Sequence, residues 1–243
     1  MIEIGREWGL FLFRRLSYFV VSLVLVSIIT FSVTNLLGNP VYLLVGTRYT
    51  QEMVDNLTAE LGLDKPIPER YLNYVRNLLQ GNLGVSRYSF NAVSDEIQAR
   101  LPATLELSTY ALILGVLWAV PAGIIAGIRP HSLFARFADL MARAGVSMPG
   151  FWLGLLLIFV FYAEFNLLPA PLGRIPRRIG APPSVTGWYT IDSLLAGDME
   201  KLSASFQQLL LPALTLALTT SPSILQITRN KMQEVMSSDY VRA

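Results

Sequence analysis

Leu16–Leu37 reads LSYFVVSLVLVSIITFSVTNLL, 22 residues without a charge. About 20 apolar residues suffice for a helix to cross the hydrocarbon core of a bilayer, so the stretch reads as a membrane span. Arg14 and Arg15 stand before it, and Gly38-Asn39-Pro40 ends it. Three readings compete. A secretory signal has a shorter apolar region and a small-residue cleavage site, and no such site is evident after Leu37. A twin-arginine export signal is suggested by the arginine pair alone. An uncleaved anchor helix accounts for both length and flanks and is preferred. The basic flank then places residues 1–15 in the cytoplasm, since positive residues stay inside.

The rest of the chain has the same character. Its 243 residues are 53% apolar and only 15% charged, whereas charged residues make up about a quarter of a soluble domain. The net charge of +2 comes without a dense basic run, which excludes nucleic acid as an expected partner. There are no cysteines, so disulfides, thiolate metal sites and cysteine nucleophiles are excluded together.

Residues 38–103 form a polar segment with six basic and seven acidic residues. Its pattern predicts folded helices. Thr50 caps a helix that runs to Leu61 and stops at Gly62; Met53, Leu57 and Leu61 give it one apolar face. Pro68 opens a second helix, with a stripe of Tyr71, Leu72, Val75, Leu78 and Leu79, ending at Gly81. A short third helix is expected around Val93–Arg100. By alternation the segment lies outside the cytoplasm, and long loops translocate largely regardless of charge.

Three further spans follow. Thr104–Ile128 carries one charge, Glu106, in what reads as the first turn. There the helix dipole favours a carboxylate; the sharper alternative is a residue facing an aqueous path between helices. Gly123 and Gly127 form a GxxxG pair around a kink expected at Pro121, which lets another helix approach closely. Arg129–Arg143 is a basic cytoplasmic connection, and its His131 reads as a solvated loop residue. Ala144–Ala163 is the third span; Pro149 should bend it, an amphipathic lead-in starts near Phe134, and Gly150 and Gly154 form a second GxxxG pair. Leu168–Ser205 is a proline- and glycine-rich outer loop whose Arg174, Arg177 and Arg178 oppose the positive-inside tendency. Phe206–Thr228 is the fourth span. Its Pro212 and Pro222 imply a bent helix with freed carbonyls that meet neighbours or water. The fold class is therefore all-α: a multi-pass membrane protein with four transmembrane helices and a small helical extracytoplasmic segment.

Catalytic signatures are missing. There is no GxxxxGK[ST] loop for nucleotide phosphates, no GxSxG elbow and no HExxH pair. With a single histidine there is no histidine pair for a metal and no plausible base for the serines. The chain reads as a non-enzyme with no cofactor of its own.

Several motifs belong together: LGLDKPIPERYLNY at Leu61–Tyr74, GNLGVS at Gly81–Ser86, RLPATLELS at Arg100–Ser108, SMPGFWLG at Ser147–Gly154, LPAPLGR at Leu168–Arg174, LLPALTLAL at Leu210–Leu218 and MQEVMSSDYVRA at Met232–Ala243. In this order and spacing the chain resembles the permease subunits of bacterial oligopeptide and dipeptide ABC transporters, the branch that also imports nickel complexes and glutathione. The resemblance implies a permease core over residues 104–243, of the MetI-like type. It implies assembly in the cell membrane with a second, non-identical permease and two cytoplasmic ATPase subunits that bind ATP and magnesium. An extracytoplasmic binding protein would deliver the solute. By the same resemblance Asp239, Tyr240, Val241, Arg242 and Ala243 open a coupling helix that fits a cleft in the ATPase. Members of the family continue past this point with further membrane helices, so a partial or truncated subunit is expected here. Two functions follow as expectations: half of the path of a peptide importer, or a truncated membrane subunit that assembles or regulates without transporting. The solute (peptide, nickel complex or glutathione) is left open.

Overall fold

The computed structural model describes residues 2–36, 41, 50–60, 62–86, 88–89 and 91–238. Among these the architecture is helical, with one isolated β-bridge between Val85 and Ala92. The chain divides into two compact units, Met1–Gln98 and Ala99–Ala243.

In the first unit, α1 spans Ile2–Leu36. It begins far ahead of the arginine pair, so residues 2–15 are part of the helix and not a separate tail. Helix α2, Gln51–Glu60, is capped as its sequence dictates: Thr50 Oγ1 accepts the Met53 N–H at 3.3 Å. Helix α3, Ile67–Leu79, has Pro68 in its first turn and is followed by Gly81 in the left-handed region. It packs on α1 through aromatic rings. Phe31 meets Tyr71 edge-on with centroids 5.4 Å apart and lies 5.7 Å from Tyr74. Two polar bonds fix the register, Ser27 Oγ to Tyr71 OH at 2.7 Å and the Arg70 guanidinium donating to Asn35 Oδ1.

The expected short helix at Val93–Arg100 and the second span are one helix, α4, Val93–Ile128. Asp95 and Glu96 sit in its true first turn, where the helix dipole favours acids, and Pro102 and Pro121 lie inside it. Among the residues from Ala99 on, a stripe of Ala111, Gly115, Ala119, Ala122, Gly123, Ala126 and Gly127 is buried. Small residues at this spacing let a second helix come close. That helix is α8, Met199–Ser237, which contains the expected fourth span and runs unbroken through Pro212 and Pro222. The proline at 222 cannot bond the carbonyl of Leu218. That oxygen lies 2.5 Å from where a Cβ on Gly145 would be, so glycine at 145 is what lets α5 approach α8 this closely.

Between these two helices come three shorter ones. The expected connection Arg129–Arg143 is helical from Leu133: α5 spans Leu133–Ser147, with the Ser132 hydroxyl accepting the Ala135 N–H. Helix α6, Gly150–Ile158, continues into a π-helical turn, Phe159–Glu164. The break falls at Met148-Pro149, where the helix axis turns by 113°. The expected bend of the third span at Pro149 and its amphipathic lead-in near Phe134 are both present: the first residues of Ala144–Ala163 belong to α5, and Gly150–Glu164 alone rises about 22 Å against a hydrocarbon thickness of about 30 Å. Three described helices are long and apolar enough to cross a membrane, and the bent pair makes a fourth crossing only if taken together. The expected outer loop, Leu168–Ser205, also contains structure, since α7 spans Tyr189–Leu195 and α8 begins at Met199.

Candidate functional site

Glu106 lies 13 residues into α4, not in its first turn, so its carboxylate is held by something other than the helix dipole. It is 3% exposed. Oε1 accepts both the backbone N–H and the hydroxyl of Thr190, at 2.8 and 2.7 Å, and Oε2 accepts Arg174 Nη2 at 2.7 Å. Tyr110 OH donates to Thr190 Oγ1 at 3.1 Å. The same Arg174 nitrogen donates to Gly187 O at 2.6 Å, and the guanidinium stacks 3.7 Å from the centre of the Tyr189 ring. Arg174 is therefore no free loop charge. It closes a buried pair that pins the proline-rich stretch and α7 onto α4.

A second buried carboxylate shapes the turn beside it. Asp192 is 1% exposed; Oδ1 accepts the N–H and hydroxyl of Thr186, at 2.7 and 2.8 Å, and Oδ2 accepts the Gly187 N–H at 3.0 Å. Burial alone would raise its pKa, but the hydrogen bonds from Thr186, Val185 and Gly187 outweigh it and hold the carboxyl below the ordinary aspartate value. Gly187 has a φ of +77°, and a Cβ there would fall 2.8 Å from Pro102 Cβ. Only glycine meets both demands, the left-handed backbone and the close approach to α4.

Beside the ion pair lies a cavity of about 260 Å³, lined by Thr104, Glu106, Arg174, Tyr189, Ser205 and Gln208 among others. Ser205 and Gln208 are 1% and 6% exposed, and Ser205 Oγ and Gln208 Oε1 have no hydrogen-bond partner in the protein. Buried polar atoms are rarely left unpaired, so Ser205 and Gln208 set two free polar atoms in a recess that Ala103, Leu107, Leu209 and Pro212 make otherwise largely apolar. Further along α8, Arg229 pairs with Asp139 of α5. That pair borders a cavity of about 430 Å³ with Arg143, Ser147 and Gln226 on its wall.

The four glycines singled out by spacing fall into two groups. A Cβ on Gly123 would lie 2.8 Å from Leu225 O, and one on Gly127 would lie 2.6 Å from Met232 Cβ. Gly150 and Gly154 face Thr219 and Thr215 of α8 at 3.6 and 3.4 Å, ordinary contact distances. Spacing missed Gly145, the tightest of all. Asp239, Tyr240, Val241, Arg242 and Ala243 lie outside the described residues. Sequence reading missed the roles of Arg174, Thr190 and Asp192. The signal for Arg174 is present, since an arginine in a loop expected outside runs against the positive-inside tendency and needs a reason.

The helices and their lipid-length apolar faces define a multi-pass α-helical membrane protein. Residues 119–243 match the family model of the binding-protein-dependent transport system inner membrane component, and residues 10–108 match the model of the N-terminal region of such membrane components. The chain belongs to this family. It is 38% identical over 218 residues to the probable D,D-dipeptide transport system permease protein DdpB of Escherichia coli K12, covering 89% of this chain and 64% of the relative. It is 34% identical over 236 residues to the dipeptide transport system permease protein DppB of the same strain, covering 96% and 69%. Glutathione transport system permease protein GsiC of Escherichia coli O6:H1 is 30% identical over 233 residues, 96% of this chain and 66% of the relative. The chain thus spans about two thirds of the length of these relatives.

Proposed function

We propose that the chain is a permease subunit of an ATP-driven importer and forms half of a transmembrane path for dipeptides. The observation that carries this reading is the identity of 38% and 34% to permeases named for dipeptides, against 30% to one named for glutathione. In this reading a second permease supplies the other half of the path, two cytoplasmic ATPase subunits bind ATP and magnesium, and an extracytoplasmic binding protein faces residues 38–103. The N-terminus is cytoplasmic, as are residues 239–243.

The geometry suits such a role. Helix α8 is one element of 39 residues, about 58 Å long. Its beginning lines the Ser205–Gln208 recess, and its far end, tied to α5 by Arg229–Asp139, leads toward Asp239. A continuous helix transmits a push at one end as a rigid-body movement. Asp239, Tyr240 and Arg242 are the proposed contacts with the ATPase.

The test is uptake by cells whose only dipeptide permease gene is the complete gene encoding this chain, expressed with its neighbouring transporter subunits. Labelled dipeptide should enter in an ATP-dependent manner and labelled glutathione much more slowly. Preferential glutathione uptake, or none of either, overturns the assignment. Charge reversal at Asp239 or Arg242 should uncouple ATP hydrolysis from uptake while assembly persists; unchanged coupling in both removes the interface proposal alone.

A further inference from the structure

Helix α3 carries an apolar arc that α1 covers only on one flank. At 100° per residue, Tyr74, Leu78 and Tyr71 fall on one side of the arc and Val75, Leu79 and Leu72 on the other. Glu69, Asn73, Arg76 and Asn77 take the opposite face. The first flank is turned to α1 through the Phe31–Tyr71–Tyr74 rings and the Ser27–Tyr71 bond. The second flank is open: Leu72 is 66% and Leu79 85% exposed.

The span itself fixes the depth of this open flank. Counted from Arg15, where the uncharged run begins, Phe31 lies about 24 Å along the axis and Asn35 about 30 Å, the thickness of the hydrocarbon. The rings of α3 that stack on Phe31 therefore sit about 6 Å beneath the far edge, within the depth of about 5–10 Å that amphipathic helices occupy at a membrane surface. The other side chains agree with that level. Arg70 reaches Asn35 where headgroups begin, Tyr74 stacks on Phe31 just below, and the Tyr71 hydroxyl reaches down to Ser27, about 12 Å beneath the edge. On α1, Val24 and Ile28 share the Ser27–Phe31 side of the helix and are themselves 46% and 42% exposed, so the uncovered flank of α3 borders apolar side chains of the span that α3 leaves open.

We propose that α3 is an interfacial helix whose Leu72–Leu79 flank is embedded in lipid at the boundary of acyl chains and headgroups. The proposal rests on the membrane reading of α1 and not on the solute transported. It commits the Leu72–Leu79 flank of α3 to lipid, not to a partner protein and not to water, and leaves the opposite polar face free.

The absence of cysteine from the chain makes the test direct. Leu72→Cys and Leu79→Cys, with Asn73→Cys and Asn77→Cys as polar-face references, are spin-labelled in the full chain reconstituted into phosphatidylcholine vesicles. Collision with oxygen, which concentrates in acyl chains, is compared with collision with a water-soluble nickel chelate. The oxygen-to-chelate ratio should be about tenfold higher at 72 and 79 than at 73 and 77, as for probes on the two faces of a surface-bound helix. Equal ratios at the four positions would place the flank in water. Low collision with both reagents at 72 and 79 would place it under protein. Either result overturns the proposal.

Discussion

The Glu106–Arg174 pair stands or falls on both members. Removing one partner of a buried pair costs about 3–5 kcal/mol because the other charge is left unpaired. Arg174 remains 30% exposed, so water offsets part of the loss, and Arg174→Ala should destabilise by about 2–3 kcal/mol. Glu106→Gln keeps an acceptor for Thr190 and should cost less. Thermal unfolding in detergent measures both; a shift within error for Arg174→Ala would mean that the pair fixes nothing. Asp192 adds a pH dependence. Its folded pKa is depressed, so its contribution is present above the unfolded value of about 3.9 and is lost as pH falls through the lower folded value. Asp192→Asn leaves a donor facing buried N–H groups and should cost about 1–3 kcal/mol at neutral pH. The gap between mutant and wild type should close as wild type is acidified below about pH 4. A gap independent of pH would show that the carboxylate charge is irrelevant there.

Among elements, the α4–α8 contact depends on a stripe that sequence spacing could see only in outline. A methyl group on Gly123 or Gly127 collides with the backbone or Cβ atoms of α8, whereas one on Gly150 or Gly154 meets threonine side chains at van der Waals distance. Gly123→Ala and Gly127→Ala should therefore lower the melting temperature clearly, by the about 1–3 kcal/mol typical of overpacking. Gly150→Ala and Gly154→Ala should lie near wild type. Equal losses at all four would show that the motif, not the measured approach, sets the cost. The contrast marks what was legible. Periodicity, caps and turn glycines place α2 and α3 to within a residue or so, because Thr50, Pro68 and Gly81 act locally. The start of α4 was misplaced because apolar content was taken as the boundary, although Asp95 and Glu96 marked the true N-terminus. The bend of span three is legible from Pro149, but its size of 113° is not, because hydropathy has no term for direction. The buried node was illegible for another reason: Glu106, Arg174 and Thr190 are up to 84 residues apart, and no local pattern joins them.

For the whole molecule the open matter is sidedness, and the ion pair bears on it. The loop after α6 carries Arg174, Arg177 and Arg178, an excess that would draw it to the cytoplasm. Arg174 is paired with Glu106 but counts as the other two do, and Arg177 and Arg178 are exposed, so three arginines stand on this side. Against them stand Arg14 and Arg15 before the first span, Arg129, Arg136 and Arg143 around α5, and Arg229 and Lys231 near the end of α8. Arg229 is paired with Asp139 and Lys231 with Glu234, yet the balance still favours a cytoplasmic N-terminus, and acids count for little in this rule. In a chain without cysteine, Arg178→Cys and His131→Cys report the two sides directly. A membrane-impermeant maleimide added to cells whose outer membrane is opened should label position 178 while the inner membrane is intact. Position 131 should react only after that membrane is breached. The reverse pattern would turn the whole arrangement over and carry residues 239–243 away from any cytoplasmic ATPase. Protection of both positions until the inner membrane is breached would instead mean that α5 and α6 form a re-entrant pair, with both of their ends on the cytoplasmic face.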